Sequence, residues 1–379
     1  MSFAALTLIF LLVVSGSGKA QTDLSAGAQA GWKQEWEKTL EAAKKEGRLN
    51  LYVGRYGQAP LLDEFKKEFS EIKVVTVNGT GNQLATRILA EARAGKVVGD
   101  LYSGGANTNY TLLYRGKALD SIKSMLLLPE ILDESKWYGG KHAYSDPEGK
   151  YIFVYIANPG GGAFSYNTNL VDPKEFKSYW DLVHPRWKGK VVSQPPTSTG
   201  IGANMQFLYY HPELGPEFIK RLYGAMDLTY GDRRVITDWL AVGKFALCIG
   251  CRDSERAKRQ GLPVDEFDPR IWKEGQDLTT GGGSLSIIKA GPNPNAAKVF
   301  INWFLSRKGQ LALQMSNDLY GELPPNSRRM DIPKDMLDPK HRLIEGRKYL
   351  DVSDAKFADM TPIFKLAKEV MKAREQKKE

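Results

Sequence analysis

The sequence predicts an α/β protein built as two lobes, and three observations carry that prediction. Its 379 residues are more than one compact core holds. Short apolar runs that read as strands alternate with stretches of helical periodicity, the pattern of a mostly parallel sheet covered on both faces. Two breaks, Asn158-Pro159-Gly160-Gly161-Gly162 and Gly281-Gly282-Gly283, enclose a second α/β run. That arrangement suggests an inserted lobe, with the chain leaving and re-entering the first.

The elements follow in order. Trp32, Trp36, Leu40 and Ala43 recur at helical spacing until Gly47 stops them. Residues 49–53 read as a strand. Leu61, Leu62, Phe65 and Phe69 mark a second helix, and residues 74–77 a strand. A helix over 82–94 turns Leu84 and Ile88 inward and ends at Gly95, before a strand that begins Asp100-Leu101-Tyr102. Beyond the first break come a strand at 191–193, helices at 202–210 and 235–242, and a strand at 245–250. Beyond the second come a strand at 285–288 and an amphipathic helix at 296–305, through Val299, Ile301 and Phe304. The charged tail 365–379 reads as a solvated helix. The expected units are a signal peptide (1–20), the first part of lobe 1 (21–157) and lobe 2 (158–283). The last unit, 284–379, is a return to lobe 1 with C-terminal helices packing across the hinge.

Hydrophobic residues make up 42% and charged residues 26%, as in ordinary soluble globular proteins. A mean hydropathy of -0.38 excludes a polytopic membrane protein. With 37 Gly and 19 Pro the chain is neither fibrous nor disordered. The net charge of +9 favours anionic partners without choosing among nucleic acid, membrane and small acids. Residues 3–14 are apolar except for Thr7, too short a run to span a bilayer and suited to the core of a signal peptide. No Lys or Arg precedes that run. Gly18 and Ala20 suit cleavage after Ala20, and no cysteine follows to carry a lipid. Cleavage removes only Lys19, leaving 52 basic against 44 acidic residues, a charge of +8. The expected location is the periplasm, with no membrane insertion after cleavage. Gly16-Ser17-Gly18-Lys19 imitates the end of a phosphate-binding loop, but Val13 and Ala20 stand where that motif needs Gly and Ser/Thr.

Several segments, taken in series, point to a family. Trp36-Glu37-Lys38 leads through Ala43-Lys44-Lys45-Glu46-Gly47 into a strand. Tyr166-Asn167-Thr168-Asn169-Leu170 precedes Trp180-Asp181-Leu182 and Pro185-Arg186-Trp187-Lys188-Gly189-Lys190-Val191. Gly282-Gly283-Ser284-Leu285 precedes the run from Ala296 to Ser306. This order resembles the extracellular solute-binding proteins of ABC importers (family 1), in the branch that contains ferric-ion-binding proteins. The resemblance implies a type II periplasmic binding fold, two α/β lobes joined by a hinge with the ligand cleft between them. It also implies a monomer that delivers its solute to an ABC permease and its ATPase, with no cofactor and no catalysis.

Iron-binding relatives use a His, a carboxylate and two adjacent tyrosines. By that resemblance, the histidine position falls at Tyr56, the carboxylate near Gly105 and the tyrosine pair at Cys251-Arg252. Tyr209-Tyr210 lies on a different element, inside an apolar helix. The donors that remain suit a small anion, an organic acid or a phosphate-bearing solute, and no resident metal. Thr197, Ser198, Thr199, Gly200, Ile201 and Gly202 open a helix in the second lobe, where free backbone N–H groups attract carboxylate or phosphate. Gly79, Thr80, Gly81 and Asn82 are the equivalent in the first lobe. Arg233 and Arg234 precede a helix, and Arg252 stands where the tyrosines would be; arginine grips carboxylates bidentately. Arg55 and Tyr56 follow the first strand at its C-terminal end, where open α/β sheets bind ligands.

Cys248 and Cys251 form a C-x-x-C at the end of a late strand, outside the context of a thioredoxin-like enzyme, and a local disulfide is expected there. The alternatives are ferric-ion binding through Tyr56 or Tyr102 with a synergistic anion, or a secreted enzyme. The sequence shows no nucleophile elbow and no His-Glu-x-x-His. No nucleic-acid partner is expected, because the charges are mixed throughout except at Arg328-Arg329 and the terminal lysines.

Overall fold

The structure, a computed structural model, describes residues 18–160, 164–196, 201–224, 226, 228–251, 254–280, 282–316, 325–337, 339, 342–344, 346, 347 and 349–376. The apolar run 3–14 lies outside them. No helix among the described residues is long and apolar enough to cross a membrane.

In the first lobe, α1 (Gly18–Glu46) leads into β1 (Arg48–Val53), and α2 (Leu61–Glu68), β2 (Lys73–Asn78), α3 (Gly81–Arg93) and β3 (Leu101–Gly104) follow. Gly47, at φ 62°, makes the turn that lets α1 end and β1 start one residue later. Short pieces come next: α4 (Ala106–Thr108), β4 (Leu119–Asp120), α5 (Pro129–Leu132), β5 (Ala143–Tyr144) and β6 (Phe153–Val154). The chain crosses at β7 (Asn158–Pro159) into the second lobe. That lobe holds β8 (Phe164–Asn167), β9 (Val191–Ser193), α6 (Gly202–Tyr210), α7 (Gly215–Gly224), β10 (Leu228–Thr229), α8 (Arg233–Ala241), β11 (Leu247–Ile249), α9 (Ser254–Arg259) and β12 (Val264–Glu266). It crosses back through β13 (Asp277–Thr279) to β14 (Ser284–Ile288), α10 (Pro294–Leu305) and α11 (Arg307–Gln314). β15 (Leu350–Asp351) and α12 (Thr361–Gln376) finish the chain.

The first sheet runs β2-β1-β3-β14-β6-β5, with β4 on β14. β1 is parallel to β2 and β3, as the alternation of elements predicts, whereas β14 is antiparallel to β3. The reason is the path: the chain re-enters at the end of the sheet facing the other lobe, so Ser284 pairs with Gly104 at the exit of β3. The second sheet runs β10-β9-β11-β8-β12.

Each lobe has its own apolar core. In the first, Phe65 of α2 is fully buried against Phe69, Phe300 and Trp303. α1 packs along α10, and the Glu46 carboxylate caps the start of α10, accepting from the backbone N–H of Asn295 (3.2 Å) and Ala296 (2.7 Å). In the second, Phe176, Tyr179, Phe207, Phe218 and Trp272 form the centre. The tail is not a solvated helix: α12 lies against α7 and buries Ile363, Leu366, Ala367 and Val370, an apolar stripe at helical spacing set among charges.

Between the lobes, β15, β13 and β7 form a three-stranded sheet, β15 parallel and β7 antiparallel to β13. This small sheet is the hinge, because both crossovers and the C-terminal passage meet in it. Arg328 clamps it. The guanidinium donates to both carboxylate oxygens of Asp351 at 2.8 Å each, to Ser353 Oγ at 2.7 Å and to the Ile156 carbonyl at 3.1 Å. Burial pushes the Asp351 carboxyl up, but Arg328 more than offsets this and holds it below its ordinary value.

Candidate functional site

The C-terminal ends of β1 and β3 face the second lobe, the position at which open α/β sheets take ligands. Three glycine-bearing segments converge there: Gly54 after β1, Gly81 at the first turn of α3, and Gly104 at the end of β3. A Cβ built on any of the three would come within 3.5 Å of the Tyr102 hydroxyl. The Tyr102 ring leaves β3 on the face covered by α3, among Leu84, Ala85 and Ile88, and its hydroxyl lies against Gly54, Gly81 and Gly104. That hydroxyl is buried and has no hydrogen-bond partner among the described residues. The nearby Gly105 N–H is itself a donor, so the phenolic proton lacks an acceptor. Burial pushes the phenol well above its ordinary range, so it is a neutral donor at all physiological pH.

Thr80 is occupied as the cap of α3. Its Oγ1 accepts from the Gln83 N–H at 3.4 Å and donates to Gln83 Oε1 at 2.8 Å. The next two residues, Gly81 and Asn82, carry first-turn N–H groups with no intrahelical acceptor. Tyr56 is 2% exposed and its ring belongs to the first-lobe core, so it does not present a phenol to the cleft. Its carbonyl accepts from Ser103 Oγ at 2.9 Å, and Ser103 Oγ also pairs with the Tyr155 hydroxyl. Arg55 lies over the Tyr56 ring, and its aliphatic stem packs on Gly282 of the second crossover.

In the second lobe, Ser198, Thr199 and Gly200 lie outside the described residues, as does Arg252. Ile201 points into the second-lobe core at 1% exposure, so only its backbone is available to a solute. Gly202 opens α6. The start of α8 is already supplied with an anion: Asp232 accepts from the N–H groups of Arg234 and Val235 at 2.9 and 3.3 Å. Arg234 is exposed, and the side chain of Arg233 is outside the described set. Cys248 and Cys251 are joined in a disulfide, fully buried at the end of β11. Tyr209 and Tyr210 pack on the second-lobe core, and the Tyr210 hydroxyl donates to the Asp359 carbonyl at 3.2 Å.

A crevice runs between these surfaces. It is lined by Ala106 and Asn107 of α4, Ser145, Gln206 of α6, Thr279 and Thr280 of the return crossover, and Val352, Ser353 and Ala358. Its polar groups are all neutral amides and hydroxyls. Asn107 Nδ2 donates to Gln206 Oε1 at 3.2 Å, and Gln206 Nε2 donates to the Phe357 carbonyl at 2.7 Å, so one glutamine joins both lobes to the C-terminal passage. The sequence singles out neither Asn107 nor Gln206; the one signal is a lone polar residue inside the apolar stretch Met205-Gln206-Phe207-Leu208, and the structure buries it to 2% exposure. Among the described residues no group of three or more His, Cys, Asp or Glu could hold a metal ion.

Comparison with known proteins agrees with this architecture. The profile of bacterial extracellular solute-binding proteins matches residues 60–336. An uncharacterised protein of Haemophilus influenzae is 26% identical over 288 residues, covering 71% of this chain and 76% of its own. Among solved structures, the Trichodesmium protein IdiA (FutA) in complex with iron and citrate superposes at TM-score 0.63, with 19% identity over 86% of this chain and 99% of that one. AfuA of Actinobacillus pleuropneumoniae with bound fructose-6-phosphate gives 0.59, with 19% identity over 85% and 97%. Iron-bound HitA of Pseudomonas aeruginosa gives 0.60, with 19% identity over 85% and 99%.

Proposed function

We propose that this chain, which belongs to the family of bacterial extracellular solute-binding proteins, captures a small anionic solute bearing hydroxyl groups between its lobes and presents it to an ABC permease from the periplasmic side. The observation that carries the reading is the Tyr102 hydroxyl, a buried neutral donor without an acceptor among the described residues, beneath a cradle of three glycines. An oxyanion oxygen entering there meets that hydroxyl and the first-turn N–H groups of Gly81 and Asn82, with the positive end of α3 behind them. The neutral crevice beside it supports hydroxyl groups on the rest of the solute, since amides and hydroxyls both donate and accept. A sugar phosphate, as in the AfuA complex, and citrate, as in the IdiA complex, are both of this class. Capture works by selection: a solute touching both lobes stabilises the closed arrangement only through its preference for it.

Thermal-shift measurements with inorganic phosphate, citrate, fructose 6-phosphate and ferric chloride test the reading. An organic anion or phosphate ester is expected to raise the melting temperature, since ligand at a hundred times its Kd adds about 2.7 kcal/mol. Tyr102→Phe removes only the hydroxyl, so it should leave the unliganded melting temperature intact while weakening the anion about tenfold or more. A shift with ferric chloride alone would replace the anionic reading with a ferric one.

A further inference from the structure

Asp277 occupies the middle strand of the hinge sheet, and its side chain is 1% exposed. The carboxyl packs directly on Gly160, where the first crossover leaves β7, and its Oδ1 has no hydrogen-bond partner among the described residues. Among the described residues, the neighbouring groups offer it no cation. On β15 its register partner is Leu350; Asp351, one position on and on the opposite face, adds a like charge, and its carboxylate already holds the Arg328 guanidinium at both oxygens. Tyr179 stands near it, but that hydroxyl donates to the Gly275 carbonyl at 3.1 Å. Glu274, three residues upstream, accepts from the Tyr179 N–H at 3.2 Å and from Ser178. From the β7 side come backbone and Gly160, whose N–H donates to the Asp277 carbonyl at 2.9 Å and whose carbonyl accepts from Gln276 Nε2 at 2.6 Å.

We propose that Asp277 is a proton-operated element of the hinge. Neutral, it lets β7 and β13 pack without water; ionised, it draws water between them and loosens the crossovers that set the lobe angle. The physical ground is that an ionised carboxylate buried without a cation is costly, and the cheapest relief is local opening. Burial, with the like charge of Asp351 added, pushes the Asp277 carboxyl up to about 7. The folded value therefore lies above the unfolded one of about 3.9. The stability the group contributes is present in full below that unfolded value and is lost as pH rises through about 7. The hinge is firm in mildly acidic medium and looser above neutrality, whichever solute the lobes hold.

The test needs no solute. Amide hydrogen exchange of the whole chain is compared at about pH 5.5 and about pH 8.5, each corrected for the intrinsic rate. In the wild type, protection at 158–160 and 277–279 is expected to fall about tenfold or more at the higher pH while protection in β1 holds. In Asp277→Asn the hinge protection should be the same at both pH values, and Asp277→Ser serves should the amide variant not fold. An unchanged wild-type hinge overturns the proposal, and so does a neutral variant that keeps the wild-type pH dependence. Because no ligand is present, neither result bears on the solute-binding reading.

Discussion

Replacing Arg328 with methionine is expected to destabilise the folded chain by about 3–5 kcal/mol, the usual loss when one partner of a buried ion pair is removed. The guanidinium is 2% exposed and satisfies four acceptor atoms: both oxygens of Asp351, Ser353 Oγ and the Ile156 carbonyl. Without it, Asp351, whose side chain is 30% exposed, loses its cation, and its negative charge acts unopposed on Asp277 one strand away. Methionine keeps much of the volume, so the loss measures charge and hydrogen bonding more than a cavity. Urea unfolding followed by far-UV circular dichroism checks the figure. Arg328→Lys should recover only part of it, because an ammonium cannot grip both carboxylate oxygens. A loss under about 1 kcal/mol would mean that the clamp does not hold the hinge.

The second large effect lies away from the hinge. Phe65→Ala should cost about 3–5 kcal/mol, from lost apolar transfer and a cavity that α2 and α10 cannot close. The ring is fully buried, with its edge against Phe300 at 5.1 Å and Trp303 at 5.1 Å, and Phe69 at 5.0 Å. Phe65→Leu should cost less, since it keeps most of the volume. Urea midpoints of the two variants give the comparison. Any solute that shifts the wild-type melting temperature should still do so in Phe65→Leu, because this cluster lies on the side of the sheet remote from Tyr102.

Much of the scaffold was legible in residue order. Leu84 and Ile88 at helical spacing, closed by Gly95, read as the helix that α3 is, and Val299 with Phe304 reads as α10. The glycine breaks near 160 and 282 read as crossovers because backbone passing between packed layers leaves little room for side chains: a Cβ at Gly160 would strike Asp277 and one at Gly283 would strike Ile156. The tail 365–379 reads as solvated because its charged residues outnumber its apolar ones, nine to five; the stripe of Ile363, Leu366 and Val370 means something only once α7 stands opposite. At the site, the order of segments placed Gly81 and Asn82 at a helix start on the cleft side. It put Tyr56 on the rim as well, whereas the bend that follows β1 turns that ring into the core.

Sequence by itself determined the two α/β lobes, because periodicity and glycine placement are local properties of the chain, and the order of its motifs carried the resemblance to a family. Only the tertiary structure decided which polar groups converge. Tyr102 meets Gly54 and Gly81 from separate segments, and Asn107 meets Gln206 across 99 positions. Among the described residues Asp277 Oδ1 finds no partner, while Arg328, 51 positions on, is taken by Asp351. Such encounters depend on burial and on competition for partners, which are fixed when the layers pack and leave no periodic trace in the order of residues.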